Sequence, residues 1–256
     1  EVADSAPGEP DLMAGNISNT NIWDPNDHEA SEKAVRPMFE EMIGWAVEEG
    51  ADMAIGETFY CAAEAYCALD VIQKAGLPAV ITLAPMAGPT MIDGVDYVEC
   101  CRELERRGAT VVGLNCFRGP HTMLPLLGAI RDAVSCPVGA LPVPYRTTDS
   151  EPTFFNLSDY DACQCPAPHG RTFPTGLDPL LCNRYEVADF AGKAHEMGVS
   201  YLGICCGASP VHIRAVSEAV GRTTQASRFS ENMAHHFMYG DDDDVPAHLQ
   251  SMRDKA

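Results

Sequence analysis

Short apolar runs alternate with longer amphipathic stretches along this chain. The runs are rich in β-branched and other apolar residues and lie at 12–18, 53–59, 79–85, 110–116, 137–142 and 201–205. Runs of this length near turn residues are typical of buried strands. Because strands separated by helical stretches indicate βα units, the pattern predicts an α/β domain with a parallel sheet.

The stretches between the predicted strands have the period of amphipathic helices. Within 29–49, five apolar residues recur at helical spacing with glutamates between them: Met38, Met42, Ile43, Trp45 and Ala46. Such a stripe is typical of core packing rather than of cofactor binding. Further helices are predicted at 62–74, 97–107, 123–134, 186–197 and 210–220.

Two segments depart from this alternation. The stretch 145–184 is rich in Pro, Asp, Thr and Phe, and it far exceeds the usual βα loop of about two to six residues. Long loops at the carboxyl end of barrel strands commonly form lids or substrate pockets. The βα pattern stops near 222, so we predict one α/β domain at 1–222 and a C-terminal tail at 223–256.

Composition narrows the function classes. The chain has 256 residues, of which 46% are hydrophobic, and this is enough for one sizeable core. Its formal net charge of -20 argues against nucleic acid and anionic membranes as partners, because both attract basic surfaces. The sequence shows no apolar run of about 18 residues and no signal-peptide pattern, so we expect a cytoplasmic protein. Eleven cysteines in that setting indicate free thiols and metal ligands rather than disulfides.

Two of the predicted strands end in cysteine. One closes with Cys116, and another leads into the adjacent pair Cys205 and Cys206. The carboxyl ends of strands are where α/β proteins place their chemistry, so these three thiols are candidates for one metal site. Cys205 and Cys206 would face opposite sides of a continuous strand, and Gly207 followed by Pro210 supplies the break that lets them share an ion.

Three thiolates favour Zn(II) and leave a fourth tetrahedral position open. Such zinc is a poor Lewis acid and is better suited to holding a further thiol as a nucleophile. The expected chemistry is therefore thiolate attack on an alkyl group. Two other interpretations stay open. The three cysteines can pack as small apolar residues, and Cys163, Cys165 and His169 form a second group with metal-ligand chemistry.

Sequence motifs surround these cysteines. They are VGLNC at 112–116, GICCG at 203–207 and PVHIRA at 210–215, and related motifs are LMAGNIS at 12–18, IGETF at 55–59 and GLDP at 176–179. Together they resemble the homocysteine S-methyltransferase family, particularly its betaine–homocysteine branch, over most of 12–220. The resemblance implies a (β/α)8 TIM barrel, of which about six βα units lie in this chain. It also implies Zn2+ held by Cys116, Cys205 and Cys206.

The resemblance also implies roles for individual residues. Glu57 matches the family glutamate that holds the amino group of homocysteine, and Asp178 matches an acidic residue of the donor loop. Thr58 stands where the betaine branch has tyrosine. Asn115 and Ser18, at neighbouring strand ends, are further candidates for binding the amino-acid portion of the substrate.

A methyl donor of the onium type would favour aromatic faces around its cationic methyl groups. Aromatic residues in the relevant segments are Trp23, Phe59, Tyr60, Phe154, Phe155 and Tyr160. Because of Thr58, glycine betaine, dimethylsulfonio compounds and S-methylmethionine all stay open as donors.

We expect a zinc-dependent methyltransferase that makes methionine from homocysteine and a small methyl donor, in a homocysteine-binding barrel domain. No match to the family's first two βα units is found, including the Gly-Asp-Gly-Gly strand end, so a fragment is expected. The competing hypothesis is a non-catalytic, truncated zinc-thiolate homologue that serves as a partner or metal-binding protein. A methylated corrinoid donor also stays open, and so does assembly into homo-oligomers.

Overall fold

Consecutive βα units build the described part of the chain. The computed structural model describes residues 12–158, 173, 176–230, 236, 240 and 246–253. The strands are β1 (Ala14–Ser18), β2 (Met53–Phe59), β3 (Ala79–Leu83), β4 (Val111–Asn115), β5 (Val138–Leu141) and β6 (Tyr201–Leu202). The helices are α1 (His28–Glu48), α2 (Ala62–Lys74), α3 (Tyr97–Arg106), α4 (Pro120–Ala133), α5 (Arg184–Glu196), α6 (Pro210–Ala219) and α7 (Ala247–Arg253). The predicted strands and helices are confirmed to within about three residues at each end, and α7 is an addition.

The strands form one parallel sheet in chain order, from β1 to β6. Because all pairs are parallel, the carboxyl ends of the strands lie along one edge. β6 is shorter than predicted, but the chain beyond it stays beside β5. The amide of Gly203 donates to the carbonyl of Ala140 at 3.1 Å, and that of Cys205 donates to Pro142 at 2.8 Å. Among the described strands, β1 and β6 are the edges of the sheet.

The core lies between the sheet and its helices. The largest fully buried side chains include Tyr97, Phe39 and Phe59. Close strand packing also depends on small residues, since a Cβ added to Gly113 would lie 2.0 Å from the carbonyl oxygen of Gly139. The described cysteines other than Cys116, Cys205 and Cys206 are also free thiols. All of them except the half-buried Cys136 are buried: Cys61, Cys67, Cys100, Cys101 and Cys182.

The buried face of α1 differs from the one expected from the sequence. Its buried positions are Ser31, Val35, Phe39 and Ile43. Of the expected core residues, Ile43 is buried and Ala46 is half-buried, whereas Met38, Met42 and Trp45 are 42%, 38% and 56% exposed, so the assignment of these three to the core was wrong. The physical reason is that α1 belongs to the edge strand β1, so among the described helices it has a neighbour, α2, on one side only.

No helix in the described ranges is both long and apolar enough to cross a membrane.

Candidate metal centre

A tight turn after β4 presents Cys116 at the carboxyl edge of the sheet. Cys116 and Phe117 have φ of +60° and +56°, a left-handed conformation that costs a residue with a side chain about 1–2 kcal/mol. The amide of Cys116 donates to the carbonyl of Leu141, and the amide of Arg118 closes the turn on the carbonyl of Cys116. The guanidinium of Arg118 donates to the carbonyl of Met86. Strain of this kind persists where the surroundings over-determine it, and it is concentrated at functional sites.

The chain beyond β6 brings two further thiols to this turn. The sulfur of Cys206 lies 3.6 Å from that of Cys116 and 3.8 Å from that of Cys205. All three sulfurs lie within 4.8 Å of one another. Around tetrahedral zinc with Zn–S bonds of about 2.3 Å, neighbouring sulfurs are about 3.8 Å apart. The three side chains therefore fit one zinc ion, in both spacing and chemistry.

Electrostatics within the cluster favour a thiolate at its outer edge. Hydrogen bonds from Cys116 and Cys205 lower the pKa of the exposed Cys206 thiol. The pKa of Cys116 is raised, first because its thiol hydrogen-bonds to Cys205 and Cys206 and then because it is buried. The three thiols share their protons, and the thiol of Cys206 therefore ionises most readily. A metal ligand must be ionised in this way.

A second feature of the site is the end of β2. The pairing of β2 with β3 shifts register between Gly56 and Phe59, and within this bulge Thr58 has φ of +66°. The carboxylate of Glu57 accepts from the side-chain amides of Asn16 at 2.9 Å and Asn115 at 3.3 Å. β-Bulges often redirect side chains next to active sites.

Glu57 has no cationic side chain as a partner within the described residues. Its partners there are the two neutral amides, and no side-chain ion pair to it is found in that part of the chain. Ser18 is the register neighbour of Glu57 on β1, and its hydroxyl donates to Asn19. The carboxylate is half-buried and so remains able to receive a positively charged group.

A group of five aromatic side chains, the aromatic cluster, lies beside the thiols. It consists of Phe117, Tyr145, Phe154, Phe155 and Phe173, and it packs with Cys116 and Cys205. Ring centroids of Phe154 and Phe155 are 4.2 Å apart, and those of Phe117 and Phe155 are 4.7 Å apart. The cluster therefore excludes water from one side of Cys116 and Cys205.

Among the described aromatic residues that were expected at the site, Phe154 and Phe155 belong to this cluster. Phe59 is instead fully buried against Phe39, at a centroid distance of 6.2 Å. Trp23 is buried beside His28, and the hydroxyl of Tyr60 donates to Asn21. Tyr160 lies outside the described residues, as do Cys163, Cys165 and His169.

Phe117 and Tyr145 could have been found from the sequence. Phe117 directly follows Cys116, and Tyr145 opens the long predicted loop. Asp178 begins a short 3₁₀ turn and is exposed. The pKa of Tyr145 is raised, first by burial, then by the charge of Cys206 and third by the charge of Asp178. This places Asp178 on the aromatic side of the site.

Two curated relatives of this chain are named for methyl transfer to homocysteine. The sequence profile of the homocysteine S-methyltransferase family matches residues 1–220. The S-methylmethionine–homocysteine S-methyltransferase BHMT2 of Rattus norvegicus is 31% identical over 231 residues, which cover 85% of this chain and 56% of the relative. The betaine–homocysteine S-methyltransferase 1 of Danio rerio is 32% identical over 212 residues, which cover 81% and 49%. The chain thus spans about half the length of these curated relatives.

Solved structures show the same fold. The apo form of the homocysteine methyltransferase MmuM from Escherichia coli aligns with a TM-score of 0.57 and 16% identity, over 81% of this chain and 63% of that protein. Its metallated form aligns with a TM-score of 0.56 and 14% identity, over 85% and 64%. This likeness confirms the expectation that the six βα units are part of a (β/α)8 barrel.

Proposed function

The chain belongs to the homocysteine S-methyltransferase family, and on that premise we propose that it transfers a methyl group from an onium donor to the homocysteine thiolate, giving methionine. The observation that carries the proposal is the sulfur spacing of Cys116, Cys205 and Cys206, which suits one tetrahedral zinc ion. The names of the relatives support the reaction, since both describe methyl transfer to homocysteine.

Zinc bound to the three thiolates would supply an open position at which a substrate thiol loses its proton and becomes a nucleophile. The protein prepares this position through its own residues. The strained turn at Cys116 and Phe117 holds the sulfur of Cys116 beside the other two, and the aromatic cluster covers Cys116 and Cys205 on one side. An attacking thiolate is more reactive when its hydration shell has been removed.

Glu57 is proposed to bind the ammonium group of homocysteine. Its carboxylate is oriented by Asn16 and Asn115, both neutral donors, so a cation is still required to balance its charge. Ser18 and Thr58 lie at neighbouring positions and are proposed to contact the amino-acid portion of the substrate. Contacts to both the ammonium group and the sulfur of homocysteine would fix the direction from which its thiolate attacks the methyl group.

The donor is proposed to bind against the aromatic cluster. Ring faces attract the cationic methyl groups of sulfonium and quaternary ammonium compounds, and Asp178 on the same side would attract a second positive group. The homocysteine sulfur forms a bond to the methyl carbon, and the electron pair of the broken bond stays with the donor heteroatom. The donor heteroatom becomes a neutral amine or sulfide as it leaves, so the reaction requires no strong general acid.

The cellular setting is proposed from the cysteines. The described cysteines are free thiols, and a reducing compartment such as the cytoplasm keeps thiols and zinc ligands in this form. We also propose that residues 1–222 act as the homocysteine-binding barrel domain, with 223–256 as a tail. Homocysteine and a small methyl donor are the proposed partners, and homo-oligomers remain open.

The alternative is a non-catalytic zinc-thiolate protein that binds metal or serves as a partner subunit. One observation favours it: among the described strands the sheet is open at β1 and β6, so one side of the site is not enclosed. A protein of this kind would bind zinc without forming methionine.

The two functions are separated by zinc content and methionine formation, measured with betaine, dimethylsulfonioacetate and S-methylmethionine in parallel. The methyltransferase gives one zinc per chain and turnover with at least one donor. Cys205→Ala should lose both zinc and turnover, whereas Cys136→Ala, which removes a thiol outside the cluster, should retain both. Zinc without turnover for any donor would support the alternative, and full activity of Cys205→Ala would contradict the assigned site.

A further inference from the structure

Asn115 occupies a fully buried position between the two halves of the site. It is the last residue of β4, and its side chain is 0% exposed. Its Oδ1 accepts from the backbone amide of Thr58 at 2.8 Å and from the hydroxyl of Thr82 at 2.9 Å. A backbone amide can only donate, so the orientation of the Asn115 carboxamide is fixed by its neighbours.

The amide nitrogen of Asn115 faces both functional groups. It lies 2.7 Å from the hydroxyl oxygen of Thr58 and 3.3 Å from the carboxylate of Glu57. The sulfur of Cys205 is 3.8 Å away, which is within reach of an N–H donor to sulfur. Both polar atoms of this carboxamide are therefore occupied by protein groups, and none of its surface is open to a substrate.

We propose that Asn115 is a positioning residue that holds the Glu57 carboxylate and the sulfur of Cys205 in one fixed arrangement. This inference rests on the proposed function, and it gives Asn115 a different role from the substrate contact expected from the sequence. Glu57 and Cys205 come from β2 and from the segment after β6, so no neighbouring strand pairing sets their separation. The amide nitrogen of Asn115 contacts both of them, and its two N–H groups are shared among Thr58, Glu57 and Cys205.

Two physical effects follow from this arrangement. An N–H group in contact with a ligand sulfur orients that sulfur, and groups that orient metal ligands typically contribute about 10–100-fold in metal affinity. The two bonds between Asn115 and Thr58 also hold the left-handed conformation of Thr58, which a β-branched residue rarely adopts. Loss of the donor should therefore disturb the metal centre and the amine site together.

The matched control for this test is Asn16. Its amide also donates to Glu57, at 2.9 Å, but its described hydrogen bonds do not reach the thiols. Asn115→Asp keeps the acceptor for Thr58 and Thr82 and removes both N–H donors. Thr82→Val is a milder change of the same network, because it removes one donor to Asn115 and leaves the other in place.

The experiment measures the dissociation constant of Zn2+ by chelator competition, the absorption spectrum of the Co2+-substituted protein, and the KM for homocysteine. Asn115→Asp should weaken zinc binding by about tenfold or more, shift the thiolate-to-cobalt band and raise KM. Thr82→Val should shift the same band by less. Asn16→Asp should raise KM and leave zinc affinity and the cobalt spectrum unchanged.

Wild-type zinc affinity and an unshifted cobalt spectrum in both Asn115→Asp and Thr82→Val would overturn the inference. An equal loss of zinc affinity in Asn16→Asp would also overturn it, because the effect would then come from Glu57 alone. If Asn115→Asp does not fold, the cobalt spectrum of Thr82→Val decides the question. An unmodified chain that binds no zinc would overturn the proposed function itself, whereas a zinc-binding chain with unaffected variants would overturn this inference only.

Discussion

Replacing His212 by alanine should destabilise the fold at the segment that carries two of the thiols. His212 is 2% exposed and lies in the first turn of α6. Its Nδ1 accepts from the amide of Ser209 at 3.1 Å, and its Nε2 lies 3.1 Å from the carbonyl oxygen of Cys182. A carbonyl only accepts, so Nε2 carries the proton and the ring is held between a helix cap and a buried segment.

The magnitude follows from these two bonds. Alanine leaves the buried carbonyl of Cys182 without its donor, at a cost of about 1–3 kcal/mol. It also removes the capping interaction at Ser209, which contributes about 1 kcal/mol. The free energy of unfolding of His212→Ala should therefore fall by about 2–4 kcal/mol. Ser209 lies three residues after Cys206, so zinc affinity should fall as well.

Urea unfolding followed by circular dichroism, on chelator-treated protein, measures this change. His212→Gln can still accept from Ser209 but does not reach Cys182, so its loss should be intermediate. His195→Ala is the control, because His195 is an exposed histidine on α5, and it should stay within about 0.5 kcal/mol of the unmodified protein. A loss below about 0.5 kcal/mol in His212→Ala would refute the reasoning.

Three further predictions follow from the structure. Gly113→Ala should lower the free energy of unfolding by about 1–3 kcal/mol or more, because its Cβ would meet backbone at 2.0 Å. Gly44→Ala, in α1 with open space around it, should instead raise it by about 0.5–1 kcal/mol; equal effects in urea unfolding would contradict this. Burial raises the pKa of Glu64 above its ordinary 4.5, so the folded state binds the proton more tightly, and stability should fall as pH rises from 4.5 through the raised value. In Glu64→Gln, unfolding curves should show no such fall in stability over this pH range. The same slope of unfolding free energy against pH as in the unmodified protein would contradict the prediction. Glu57→Gln should raise the KM for homocysteine about tenfold or more at unchanged zinc content, whereas an unchanged KM would show that the amine binds elsewhere.

The sequence predicts the sheet because βα periodicity is local. Each strand is a short apolar run, and each helix has its own period, so the bounds of α2 at 62–74 are recovered without knowledge of its neighbours. The convergence of Cys116 with Cys205 and Cys206 also follows from the sequence, since parallel strands end at one edge. The prediction that the three cysteines converge rests on the succession of strands and helices along the chain and on the position at which each strand ends.

The rest of the site depends on contacts that local patterns do not encode. Alternation would place Glu57 and Phe59 on one face of β2, but the bulge at Thr58 turns Phe59 into the core. The aromatic cluster is assembled when the loop after β5 returns to the sheet, through the bridges Arg118 to Thr153 and Tyr145 to Leu181. The period of apolar residues along the chain carries no information about such long-range pairings.

The central claim is tested most directly by counting the sulfur atoms around zinc with X-ray absorption at the zinc edge, with and without homocysteine. The account predicts three protein sulfurs at about 2.3 Å in the absence of homocysteine, and four when homocysteine is added. A sulfur count that stays the same on addition of homocysteine, or a site dominated by nitrogen and oxygen, would contradict the assignment of Cys116, Cys205 and Cys206 as the zinc centre that activates the substrate thiol.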